Sequence, residues 1–82
     1  MNEWEQTQRD LAKDAVRATL PDDVAEAVIG CAAFGAVAGK LFNADKAGHT
    51  REDVLAALDP DDVEFAGRAH TPAAFLASLI DH

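Results

Sequence analysis

Four acidic residues fall within six positions of the chain, Asp59, Asp61, Asp62 and Glu64 in "DPDDVE", the densest polar feature of the sequence. Carboxylates this close suit a hard cation, so calcium is the first chemistry to consider. The spacing does not support it. Val63 stands where an oxygen ligand is needed, the turn glycine is missing, and no bidentate glutamate follows at the right distance. The same residues make a good helix start: Asp59 can cap, Pro60 fits a first turn, and the remaining acids meet the positive end of the helix dipole. The cluster therefore reads as a helix N-terminus, and secondarily as an acidic surface for a partner.

The histidines, His49, His70 and His82, lie at no i,i+4 spacing to one another or to a cysteine, and no HExxH or CxxC pattern occurs. They read as surface residues. A catalytic role for His49 or His70 would require the fold to gather them with carboxylates in a pocket. Among the hydroxyls, Thr50 and Thr71 read as caps, Thr19 can help cap the helix that follows it, and Ser78 lacks the GxSxG turn of a nucleophile. Gly30, Gly35 and Gly39 fall inside an expected helix, so no phosphate-cradling loop is foreseen. Cys31 is the one cysteine, which rules out an intrachain disulfide and a thiolate metal cage; it reads as a small hydrophobe. No enzyme, metal or cofactor is expected.

Eighty-two residues suit a single domain, 1–82, with little stability to spare. Apolar residues make up 49% but aromatics only 6%, so the core must come from alanine-rich helices packed closely, with Trp4, Phe34, Phe42, Phe65 and Phe75 as its large fillers. The net charge is −8, of which residues 49–82 carry −5. Without a cluster of Lys and Arg the chain cannot displace the counterions of nucleic acid, so direct binding to nucleic acid or an anionic membrane is disfavoured. "MNEWEQTQRD" lacks a charged-then-apolar signal pattern, so a cytoplasmic location is expected.

These residues must be positioned by helices, because strict alternation is absent and β-branched residues are sparse. Residues 2–19 form an amphipathic pattern, with Trp4, Leu11, Ala15 and Ala18 on one stripe, widened by Ala12 and Val16. Glu5–Arg9, Asp10–Lys13 and Asp14–Arg17 lie at ion-pair spacing on the other side. A second helix is expected from Pro21 to about Phe42. Val24, Val28, Ile29 and Phe42 fall on one side of it and Phe34, Val37 and Leu41 nearly opposite, which leaves only Glu26, Ala33 and Lys40 to face water. A helix apolar all round sits in the middle of something, and its flanking charges argue for a bundle rather than a membrane. Asn43 or Gly48 can supply a left-handed cap. Short helices follow at 51–58, from Asp59–Pro60, and from Thr71–Pro72. The fold class is all-α: a small bundle of two longer N-terminal helices and two or three short C-terminal ones.

Within the second helix, Ala27, Cys31, Gly35 and Gly39 recur every four residues as a groove of small side chains. Each glycine costs about 1 kcal/mol of helix propensity relative to alanine, so a close-packed helix should offset it. That helix is either the first one of the same chain or one from a second copy across a two-fold axis.

From Phe34 onward the chain also resembles a family of proteins. The alanine-rich run before Leu41, "AGHTREDVLAAL" (47–58) and "AGRAHTPAAFLASLID" (66–81) are similar to a helical segment of actinobacterial plasmid and mobile-element proteins, notably conjugative relaxase and mobilisation proteins. The catalytic parts of those proteins, a tyrosine nucleophile and a three-histidine metal site, have no counterpart, since the chain contains no tyrosine. The resemblance implies a non-catalytic helical accessory linked to mobile DNA.

The expectation is a non-enzymatic, acidic helical interaction module whose partner is a protein and which self-associates as a homodimer. The alternative is an acidic regulator that mimics nucleic acid and inhibits a DNA-binding protein.

Overall fold

A computed structural model of the chain describes residues 2–82. Among these residues there are six helices and no strand: α1 (Glu3–Thr19), α2 (Asp22–Ile29), α3 (Phe34–Lys46), α4 (Arg51–Ala56), α5 (Pro60–Arg68) and α6 (Pro72–Leu79). The fold is all-α, as its periodicity requires.

Three helix starts follow from local chemistry. Asn2 Oδ1 accepts from the Glu5 amide at 2.7 Å and opens α1. Thr50 Oγ1 accepts from the Asp53 amide at 3.1 Å and opens α4. Asp59 Oδ1 accepts from the Asp61 amide at 2.8 Å, with Pro60 in the first turn of α5. Each satisfies an amide the helix itself leaves unpaired. Two expected caps do not form. Thr71 makes no side-chain cap to α6, which relies on Pro72 alone. Thr19 turns its hydroxyl back to the Ala15 carbonyl of its own helix, and α2 begins after Pro21 without a side-chain cap.

The single helix expected over 21–42 is instead two, α2 and α3, bent by 106° across residues 30–33. The pattern that made one straight helix look apolar all round supplies the reason. A domain this small cannot cover both sides of one rod. The bend turns Val24 and Val28 from α2 and Phe34, Val37 and Leu41 from α3 into one shared core, all 3% exposed or less. Gly30 closes α2, its amide bonding to the Glu26 carbonyl at 2.9 Å, and a weak helix former is the least costly place to stop. Among the described residues, no single helix is long and apolar enough to cross a membrane.

α1 packs on α3 and α4, while α2 packs on α5 and α6; α6 also touches α3 and so joins the two sets. The core runs between them through Ala12, Val16, Val28, Phe34, Leu41, Leu55 and Leu76. At Gly67 the backbone of α5 lies close against Val24 of α2. A β-carbon on Gly67 would stand 2.9 Å from Val24 Cγ2 and 3.3 Å from its Cα. Close approach to a glycine thus occurs at Gly67, outside the expected stripe, as well as at Gly35 within it. Only part of the expected aromatic core is buried. Phe34 is fully inside and Phe42 and Phe75 are half-buried, but Trp4 and Phe65 are each 54% exposed.

Candidate functional site

The bend divides the stripe of small residues. Ala27 stays on α2, Cys31 lies half-buried in the break, and only Gly35 and Gly39 share a helix, α3. They form the floor of a groove between α1 and α3 with a volume of about 200 Å³. Trp4 from α1 and Phe42 from α3 make its aromatic wall, with ring centroids 5.0 Å apart at 88°, an edge-to-face contact. Lys46 Nζ lies 5.4 Å from the Phe42 ring centroid, a cation against its π face. At Gly39 the floor is open, for a β-carbon there would meet nothing within 4 Å.

Two charged side chains line this groove, Glu5 and Arg9. Glu5 and Arg9 stand at ion-pair spacing on α1, yet no such pair forms. Instead the guanidinium leans over Gly35, where a β-carbon would stand 2.9 Å from Nη2. Among the described residues the half-buried Arg9 has no carboxylate within 4.0 Å and no hydrogen-bond partner; the ion pairs are Arg51–Asp45 at 3.6 Å and Arg68–Glu64 at 3.3 Å. Its neighbour Gln8 is engaged, its Oε1 accepting from Arg51 Nη2 at 2.9 Å, which ties α1 to the start of α4. A guanidinium in contact with solvent at one end of an apolar groove is a donor fork prepared for a carboxylate or phosphate. Sequence spacing misread this residue, and the only available signal was a glycine on the helix that packs against it.

The acidic cluster lies elsewhere, on α5. Asp59 is occupied as the cap and Glu64 pairs with Arg68 on the open surface. Asp61 and Asp62 are exposed and, among the described residues, unpaired. They precede Phe65 by four and three residues and therefore share its face of the helix. The Phe65 ring rests against Phe75 with centroids 5.0 Å apart.

A second cleft, about 330 Å³, brings together residues that the spacing kept apart. His49, from the loop after α3, lies with its ring centroid 5.2 Å from that of His82, and Asp53 and Asp81 share the lining with Leu58 and Leu79. Asn43 Nδ2 donates to the His82 carbonyl at 3.4 Å and holds the segment after α6 against α3. His70 lies outside this cleft and is exposed. Among the described residues, no group of three or more His, Cys, Asp or Glu side chains is placed to hold a metal ion. No hydroxyl or thiol lines this cleft.

The chain matches no protein-family model, no curated protein and no solved structure.

Proposed function

We propose that this protein is a non-enzymatic, cytoplasmic protein–protein interaction module that self-associates, in its simplest form as a homodimer. The observation that carries the reading is the α1–α3 groove: an exposed tryptophan beside an unpaired, half-buried guanidinium, over a helix floor left open at Gly39. Tryptophan and arginine are the residues that most often dominate binding energy at protein interfaces, because both combine large apolar contact with directed hydrogen bonds. The resemblance of residues 34–81 to a mobilisation-protein segment supports a setting as an accessory to plasmid or mobile-element proteins. Light scattering on the purified chain from micromolar to millimolar concentration tests self-association. A mass that rises with concentration supports it, and a strictly monomeric mass throughout overturns it.

The alternative, an acidic mimic of nucleic acid, draws on the exposed Asp61 and Asp62 and the −5 balance of residues 49–82. It has less behind it, because two of the four clustered carboxylates, Asp59 and Glu64, already have partners within α5.

A further inference from the structure

We propose that the groove between α1 and α3 receives the Phe65 edge of α5 from a second copy of this chain. The inference rests on the self-association reading and names the two surfaces that meet.

Size selects the kind of occupant. At about 200 Å³ the groove is smaller than the roughly 300–1,000 Å³ of sites that enclose small molecules, and it suits one inserted side chain. Its chemistry asks for an aromatic or aliphatic group against Trp4 and Phe42, seated over the open floor at Gly39, with a carboxylate near Arg9. The chain presents that combination itself. Phe65 is 54% exposed, the Phe75 ring at 5.0 Å supports it from one side, and the unpaired Asp61 and Asp62 lie on the same helix face.

The order of charges also matches. Along α1 an acid precedes a base, Glu5 then Arg9. Along the Phe65 face of α5 the acids Asp61 and Asp62 likewise precede a base, Arg68. Crossed antiparallel, Arg9 meets Asp61 and Asp62 while Glu5 lies away from them, towards Arg68, whose guanidinium is already bonded to Glu64, so the complementarity lies at the Arg9 end. Crossed parallel, Glu5 would face the aspartates. Arg9 and the aspartates are each unpaired within one copy, so the contact breaks no existing ion pair of theirs.

Trp4 is the only tryptophan, so its emission reports on the groove directly. The test uses the full chain, the groove variant Arg9→Glu, and the edge variant carrying Asp61→Lys and Asp62→Lys, with circular dichroism to verify folding. Should either fail to fold, Gly39→Leu, which fills the open floor, and Phe65→Ser replace them. Mass by light scattering and Trp4 emission are followed against concentration. The unaltered chain is expected to gain mass with a blue shift of Trp4 emission. Each variant alone should associate about tenfold or more weakly, as expected when one member of an interfacial charge pair is reversed. An equimolar mixture of the two variants should recover both mass and blue shift, because one supplies an intact groove and the other an intact edge. If the chain associates but the variants associate as well as it does, or if the mixture stays monomeric, the contact is wrong while self-association stands. If the unaltered chain is monomeric throughout, both fall.

Discussion

Arg9 Nη2 lies 2.9 Å from the point where a β-carbon on Gly35 would stand, so the guanidinium of α1 occupies the space a side chain on α3 would need. Glycine at residue 35 leaves the guanidinium that place, and a β-carbon there would make it shift. Since the charge has no partner among the described residues, its removal should cost the fold little. Arg9→Met, which retains a long apolar side chain, is expected to change unfolding stability by no more than about 0.5 kcal/mol in urea titration. A loss of several kcal/mol would mean that the charge is structurally paired.

The glycines should separate by location. Gly39→Ala adds a methyl group to an exposed helix site where nothing lies within 4 Å, and should stabilise by about 0.5–1 kcal/mol. Gly67→Ala drives a methyl group into Val24, its side chain at 2.9 Å and its backbone at 3.3 Å, and should destabilise by about 1–3 kcal/mol. Thermal unfolding of the pair checks the opposite signs.

Gly48 is the only described residue with positive φ, +95°, at the turn after α3. A β-carbon there would meet open space, so the cost of Gly48→Ala is conformational. A loss of about 1–2 kcal/mol is expected, read as a lower urea midpoint with an unchanged slope.

Cap substitutions should follow the hydrogen bonds. Thr50→Ala and Asp59→Ala each remove an acceptor used by a backbone amide and should cost about 0.5–2 kcal/mol. Thr71→Ala removes no cap bond, so its effect on the urea midpoint should be clearly smaller.

Phe34 of α3 and Phe65 of α5 give the sharpest contrast. Phe34 is 1% exposed at the centre of the core, and Phe34→Ala should cost about 3–5 kcal/mol, enough to unfold much of so small a domain at room temperature. Phe65→Ala, at a residue 54% exposed, should leave the circular dichroism spectrum native. Its consequence should appear in association instead.

Much of this molecule could be read along the chain. Thr50 and Asp59 announced their helices, and of Asn43 and Gly48 it is Gly48 that takes positive φ, because each depends on neighbours within a turn or two; on α1 the expected stripe is shifted, with Ala12, Ala15 and Val16 buried but Trp4, Leu11 and Ala18 exposed. Residues 21–42 show where such reading stops. The alternation of Val24, Val28, Phe34, Val37 and Leu41 around a helix established that the segment is central, but it did not show that burying both sides required a 106° bend near Gly30. That bend decided everything at the groove: it separated Ala27 and Cys31 from Gly35 and Gly39, and laid α3 where Trp4 meets Phe42 and Arg9 covers Gly35. It likewise took tertiary packing to set His49 beside His82, to press Gly67 on Val24 and to leave Phe65 outside. Helix type and helix starts are decided by local hydrogen bonds and short-range spacing, whereas the site joins residues tens of positions apart, whose meeting depends on how a limited alanine-rich core can be closed from all sides at once.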